Sequence, residues 1–545
     1  MTNVSEEQII NSALWAAYGD ALGFITELAD TKIIKSRTGI VTIKGLIDWK
    51  RQIGGQFGTT INLPKGSYSD DTQLRLATSR AIMGNGHFSI HSFSKIELPV
   101  WQSYALGAGR GSKVAAGSLA KNNIAWYNNF YETDKVSYLN SGGNGAAMRI
   151  QPHVWSAVQL DDPDIFLPDV IKNSLTTHGH PRAIAGSVFH ALCLSYTLFY
   201  RRLPSIEEFK TFNQWTLEIP RIISQDNNLN TIWMSHYESV SPITLIESYY
   251  LVFNELGELI SLVEDWYAGA TRNYKDLAQV LDLYKSETRG SGTLTALAAS
   301  AACLLSEEMQ IDEIIKVIVN ELWTDTDSIA TMAGAILGAK TDTKPLEKVQ
   351  DEAYIIKEAK RLYLISIGEE ANSFEYSNHM TWKCPVSQLD FLGMYNNKLV
   401  FFPFGIVESV ANEEYIARSK TYNYEWLKSD VGQSFLIKKR ASEDIKKVSK
   451  KLLNEQVEKI SSTDTSNSTH SHISNFQSEL SLKQELSEYS LSIDALTSES
   501  IKEGLNPVTI GRHIIQISES EMGTNGVIAY SAIISKALIV RRNKR

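Results

Sequence analysis

Cysteine is scarce in this 545-residue chain. Cys193, Cys303 and Cys384 are odd in number and far apart, which points to a reducing compartment and to no zinc site. Long apolar runs are also missing: no window reaches the ~18 uncharged apolar residues of a membrane span, and the nearest, residues 526–540, is short and carries Lys536. The opening stretch, with Glu6 and Glu7 close behind Met1, lacks the charged start and apolar run of a signal peptide. A cytoplasmic location and no membrane partner are therefore expected. Positive charge is short as well, since the formal net charge is −9. That balance argues against a dominant non-specific nucleic-acid surface and leaves room only for a local basic patch.

What the chain does have is length enough for two or three domains. Residues 1–375 read almost wholly as helix, with apolar segments at 184–200, 294–305 and 311–322. The texture changes over 376–460, where branched and aromatic residues at 389–395 and 398–407 flank Asn396-Asn397, a hairpin signature. Ile445, Val448 and Leu452 suggest one helix after that small β-containing unit. Residues 461–479 form a Ser/Thr/Asn/His-rich linker with too little apolar content to pack, and His470 and His472 within it belong to a solvated tail. Residues 480–545 look helical and end in a basic run from Arg541 to Arg545. The predicted fold class is all-α, a many-helix domain with a smaller mixed α/β C-terminal extension.

The chemistry is concentrated in two acidic clusters. Ser69-Asp70-Asp71-Thr72 and Thr324-Asp325-Thr326-Asp327-Ser328 each stand directly before an apolar helical pattern. In the second, Ile329, Met332, Ala333, Ile336 and Leu337 recur at helical spacing and predict a core face. A single Asp or Ser there serves only as an N-cap. Massed carboxylates go beyond a cap, because they repel unless a cation or a proton holds them together. Two further segments fit the same site. Gly142, Gly143, Asn144, Gly145 and Ala146 offer backbone N–H groups to an anion, and Gly19-Asp20-Ala21-Leu22-Gly23 is followed by Glu27 in an apolar stretch.

In this order along the chain, these segments, together with Thr177-His178 and Ala333-Gly334-Ala335, resemble the ADP-ribosylglycohydrolase family. The resemblance implies hydrolysis of the bond between ADP-ribose and a modified protein, nucleic acid or small acceptor. It implies two Mg²⁺ or Mn²⁺ ions as cofactors, held by Ser69, Asp70, Asp71, Asp325, Asp327 and Ser328; oxygen-only ligation suits those ions. By the same resemblance catalysis would fall to Glu27, Asp71 and Asp325, with Glu27 activating the water or assisting the leaving group. Gly142, Gly143, Asn144, Gly145 and Ala146 would hold the diphosphate, and His178 would line the nucleotide pocket. The expected partner is an ADP-ribosylated substrate, with nucleic acid only as modified substrate, and the C-terminal extension is a candidate surface for a protein partner.

Three departures bear on specificity. Ser69 replaces the usual threonine and keeps its hydroxyl. Leu322-Trp323 stands where the family has a glycine pair, so a bulky indole is placed to stack on a ligand or to fill the core. An impaired pocket that binds ADP-ribose or a nucleotide without turnover is the alternative reading. Residues 107–113 contain no carboxylate, although the arginine-specific members carry an aspartate there, which puts an arginine-linked substrate in doubt.

Overall fold

Ser5 starts the first helix. Its hydroxyl accepts the Gln8 N–H while the Gln8 side chain accepts the Ser5 N–H, a reciprocal cap that opens the helix Glu6–Thr26. In this computed structural model, which describes residues 4–377, 382–440, 493–520 and 523–542, that helix is buried along almost its whole length. It runs against the equally buried helix Thr326–Lys340. A Cβ at Gly23 would lie 2.4 Å from Asp327 Cα, and one at Gly334 would lie 2.3 Å from the Trp15 carbonyl oxygen. Only residues without a Cβ let two helix backbones come this close. The predicted core face of the second helix is buried, and so is the rest of its circumference.

The apolar segments expected at 184–200, 294–305 and 311–322 form the helices Pro181–Tyr200, Gly292–Cys303 and Ile311–Val319. The first corrects the expectation about membrane-length runs. Pro181–Tyr200 is apolar and long enough by composition to cross a membrane, and 83% of the relevant stretch is buried inside the protein. Ser187, His190, Ser195 and Thr197 interrupt its apolar run and hide it from a strict count. It is a core helix.

A second difference from expectation lies inside the helical region. β1 (Trp49–Ile53) and β2 (Thr59–Leu63) pair antiparallel in register from Trp49 with Leu63 to Ile53 with Thr59. Lys50 and Gln52 alternate outward and blur the apolar signal, whereas Gly54 and Gly55, both at positive φ, mark the turn. Further on, β3 (Leu392–Tyr395), β4 (Lys398–Phe401), β5 (Gly405–Ile416), β6 (Tyr422–Ser429) and β7 (Ser434–Arg440) form one antiparallel sheet in chain order. Asn396 and Asn397 join β3 to β4 with both residues left-handed, at φ 47° and 60°, as a two-residue hairpin turn requires.

The sheet shares its core with the helices. Tyr104 packs edge-on against Phe401, Phe404 and Phe435. Fully buried Arg80 donates to both Glu97 carboxylate oxygens at 2.8 Å and to Gln433 Oε1 at 2.6 Å. The chain forms two compact units, Met1–Thr463 and Asp464–Arg545. In the second, the helices Ile493–Lys502, Pro507–Ser518 and Gly523–Arg542 enclose Leu496, Leu505, Ile517, Tyr530 and Ile534. The Ser500 hydroxyl, His513 Nδ1 and the Tyr530 hydroxyl satisfy one another within 2.6–3.0 Å inside that core. The helix expected near Ile445, Val448 and Leu452, the linker with His470 and His472, and the last three residues of the basic end lie outside the described residues.

In an exposed helix Gly→Ala stabilises by about 1 kcal/mol. Gly334→Ala has the opposite sign here, because the new methyl meets main chain that cannot rotate away. Chemical denaturation is expected to show a loss of about 2–3 kcal/mol.

Candidate active site

Asp20 organises the first acidic cluster. The carboxylate is fully buried and accepts the Ser69 and Thr72 N–H groups, each at 2.9 Å, so a side chain from the first helix caps the N-terminus of the helix Asp70–Ala81. Ser69 is the local N-cap, and its hydroxyl accepts the Asp71 N–H at 3.2 Å. The Asp70 N–H goes to the Leu106 carbonyl at 2.8 Å. Asp70 and Asp71 are thereby held at the mouth of that helix. The second cluster is placed by the glycine approach already described, with Asp325 at the N-cap of Thr326–Lys340 and Asp327 in its first turn.

Both clusters open into one cleft of about 410 Å³. Of the residues expected in the site, Glu27, Asp70, Asp71, Gly142, Gly143, Asn144, Gly145, His178, Asp325, Asp327 and Ser328 line it. Ser69 and Ala146 do not: both are fully buried, Ser69 turned toward Asp71 and Ala146 beneath the glycine segment. The Gly142 and Asn144 N–H groups are engaged by the carbonyls of Asn140 and Gly290 at 3.1 and 2.9 Å, which narrows the anion-facing backbone to the rest of the segment. Asn144 Nδ2 donates to Asp325 Oδ2 at 2.8 Å and so ties the glycine wall to the acidic wall. His178 Nδ1 is hydrogen-bonded to the Thr177 hydroxyl at 2.7 Å. Burial, followed by the Arg149 charge, pushes the His178 pKa down to about 3, so the imidazole facing the cleft is neutral.

The electrostatic character follows from crowding. Burial first, then repulsion among Glu27, Asp20, Asp70, Asp71 and Asp325, pushes the carboxyls of Asp70, Asp71 and Asp327 well above the usual carboxylate range. Asp20 and Asp325 are raised as well, again chiefly by burial. Asp71 Oδ1 is buried without a hydrogen-bond partner. An oxygen-only donor set with an orphaned buried carboxylate oxygen fits a hard divalent cation. Among the described residues, however, no group of three or more His, Cys, Asp or Glu side chains is drawn together as a metal-ligand set. The two observations are reconciled by what holds the side chains: Asp325 is turned to Asn144, Asp71 to Ser69, and Asp327 Oδ1 accepts the Ser328 N–H at 3.0 Å. Rotation about side-chain bonds suffices to turn those oxygens inward toward a common cation.

Several residues in or beside the cleft escaped the sequence reading. Arg51, on β1, pairs with Glu27 at 2.7 Å, and its guanidinium lies 4.4 Å from the centre of the Phe24 ring. Nothing in the spacing of Arg51 marks it, because it acts through an unexpected strand. Arg289 and Gly290 line the cleft opposite, and Arg289 Nη1 donates to the Trp323 carbonyl at 3.1 Å. The Gly290-Ser291-Gly292 stretch was a usable signal for that close approach. Trp323 itself is 50% exposed, sits at φ 72°, and is not among the residues lining the cleft. Its left-handed backbone is the conformation glycine adopts without strain; its exposure rules out core filling, and its place outside the lining gives stacking on a ligand in the cleft no support.

The profile of the ADP-ribosylglycohydrolase family matches residues 1–363. The chain belongs to that family. A solved structure described as an "ADP-ribosylglycohydrolase-related protein complex" is 18% identical over 66% of this chain and 98% of its own, with a TM-score of 0.40. No curated protein matches the chain. The two acidic segments and the glycine segment all lie within the matched residues and surround one cleft. The sheet β3–β7 lies beyond the matched residues.

Asp20→Ala strips two buried N–H groups of their acceptor. A loss of about 2–4 kcal/mol is expected in thermal or denaturant unfolding, and hydrogen exchange should be fastest to respond at Ser69 and Thr72.

Proposed function

We propose that the chain hydrolyses the N- or O-glycosidic bond between ADP-ribose and an acceptor, as family membership indicates for hydrolases of ADP-ribose linkages. The observation that carries this reading is the assembly of Glu27, Asp70, Asp71, Asp325 and Asp327 from three chain segments in one cleft, facing a glycine-built wall. Asp70, Asp71, Asp325, Asp327 and Ser328 are the residues that would hold two Mg²⁺ or Mn²⁺ ions, with Ser69 reaching the site through Asp71. Bound there, the ions supply positive charge that orients the ribose hydroxyls and acidifies a water.

The remaining work belongs to the chain's own groups. Glu27 takes the proton as the water oxygen bonds to the anomeric carbon, the glycosidic bond breaks, and the departing acceptor atom receives a proton from Glu27, directly or through solvent, which returns the carboxylate to its starting state. Arg51 holds the Glu27 carboxylate through its 2.7 Å ion pair. Gly143 and Gly145 offer close backbone approach to the diphosphate, and neutral His178 offers a ring nitrogen that carries no charge. Arg110 and Arg289 line the same cleft, and residues 107–113 bring no carboxylate. At that loop a guanidinium leaving group would therefore meet Arg110 and find no charge-assisted partner. The reading without turnover rested on an indole blocking the pocket, and Trp323 does not line it.

Release of free ADP-ribose from serine-, arginine- and nucleic-acid-linked conjugates with added Mg²⁺ or Mn²⁺ tests the proposal. O-linked or base-linked conjugates are expected to turn over faster than the arginine conjugate, and no release from any of them removes the proposal. Asp71→Asn is expected to abolish calorimetric Mn²⁺ binding and most turnover while the fold persists; wild-type Mn²⁺ affinity would remove the metal site. Glu27→Gln keeps size and hydrogen bonding but loses the negative charge, so turnover is expected to fall about 10²–10⁴-fold with ADP-ribose affinity little changed.

A further inference from the structure

A second cavity, of about 510 Å³, shares no lining residue with the acidic cleft. It lies between the turn that follows the helix Asp70–Ala81, the end of the helix Glu352–Ser366 and the start of the helix Leu167–Leu175. Its volume is that of a small-molecule site. Ile82, Ile165, Phe166 and Ile365 give it an apolar wall. Asp169, Glu369 and Glu370 bring negative charge, and among the described residues no lysine or arginine lines it. None of the three carboxylates has a hydrogen-bond or ion-pair partner among the described residues. Lys172, on the same helix as Asp169, is engaged by Asp226 at 3.0 Å instead. Burial pushes the Asp169 carboxyl above its ordinary range, against the smaller opposing pull of Lys172 and His87. A cation in the cavity offsets that desolvation.

One hydrogen-bond donor stands out against this acidic lining. His153 lines the cavity and is only 4% exposed. Arg149 Nε donates to Asn173 Oδ1 at 2.8 Å, and because arginine only donates, that bond fixes which end of the Asn173 amide is oxygen. Asn173 Nδ2 therefore donates to His153 Nε2, at 3.1 Å. Burial, then the Arg149 charge, pushes the His153 pKa down to about 3, so the ring is neutral and its one proton sits on Nδ1. Phe88 packs at right angles to the ring with centroids 4.5 Å apart, and no acceptor meets Nδ1 among the described residues. Buried N–H groups ordinarily have an acceptor, and here the cavity is left to supply it.

These features discriminate among ligands. A bare metal ion gains nothing from the apolar wall or from an N–H donor, an anion meets three carboxylates, and an apolar molecule leaves every polar group unpaired. We propose that this cavity binds an organic cation with an ammonium or guanidinium head, an apolar stem and a carbonyl oxygen that accepts the His153 Nδ1–H. That is the chemistry of a lysine or arginine residue whose carboxyl is amidated or in a peptide bond. The stem packs on the apolar wall while the head reaches Asp169, Glu369 and Glu370. The inference goes beyond the hydrolase reading and does not depend on it.

Calorimetric titration of the full chain with Nα-acetyl-arginine amide and Nα-acetyl-lysine amide tests it. The neutral analogues, Nα-acetyl-citrulline amide and Nα-acetyl-norleucine amide, are expected to bind about tenfold or more weakly than the cations. Butylguanidinium keeps the head and stem but lacks the carbonyl, and is expected to bind about threefold or more weakly than the arginine amide. Asp169→Asn is expected to weaken the cations about tenfold and to leave the neutral analogues unchanged. Should Asp169→Asn fail to fold, the exposed double variant Glu369→Gln/Glu370→Gln gives the same reading. A blocked Ala-Arg-Ala peptide that binds as tightly as the arginine amide assigns the residue to a polypeptide, and binding of the amide alone assigns it to a free small molecule; both support the site. Four results overturn the proposal: no binding of either cation at about 10 mM, equal binding of the neutral analogues, equal binding of butylguanidinium, or a cation affinity that both sets of carboxylate variants leave unchanged.

Discussion

The approach of two helix backbones at Gly23 and Gly334 is the constraint on which the rest of this molecule depends. With side chains at those positions the helices Glu6–Thr26 and Thr326–Lys340 would be pushed apart by the width of a methyl group or more. Everything in the cleft is referenced to that crossing. Asp20 and Glu27 ride on the first helix and its end, Asp325 and Asp327 on the start of the second, and Asp20 in turn fixes the cap of the helix that carries Asp70 and Asp71. Three helix ends are therefore indexed to one another by main chain and buried hydrogen bonds, without relying on exposed loops.

The same arrangement concentrates negative charge where water is scarce, which opposes folding unless protons or cations enter. The fold meets part of that cost locally. Arg75, buried, donates to the hydroxyls of Thr331 and Thr72 at 2.8 and 2.6 Å and is felt by Asp20 and Asp71. Arg51 and Arg289 stand at the edges. The positive groups flank the cluster and leave its centre acidic, the distribution expected of a site that receives charge from a ligand.

Much of this was legible in the sequence. The caps before residues 70 and 326, the glycine segment at 142–145 and the Asn396-Asn397 turn are each local signals with a local cause, and each sits where its chemistry predicts. Arg51 was not legible, because its strand alternates charged residues outward and shows little apolar period. Arg289 reaches the cleft only through tertiary placement. Ser69 was expected among the metal ligands and Ala146 in the diphosphate segment; neither lines the cleft, and their burial depends on how the segments pack, which spacing does not encode. Trp323 shows the limit from the other side: a missing glycine signals an unusual backbone, and whether the replacement points in or out is a three-dimensional matter.

Arg80 gives the sheet a mechanical role. It sits in the last turn of the helix whose first turn presents Asp70 and Asp71, and it is bonded to Glu97 and to Gln433 at the start of the β6–β7 edge. Tyr376 also donates to Glu97 at 2.6 Å. A twelve-residue helix is a strut of about 18 Å at 1.5 Å per residue. One end of that strut is anchored in the sheet and the other carries the carboxylates, so the sheet acts as a footing, and a shift of its edge is transmitted along the helix axis to the cleft floor without passing through any residue that touches substrate.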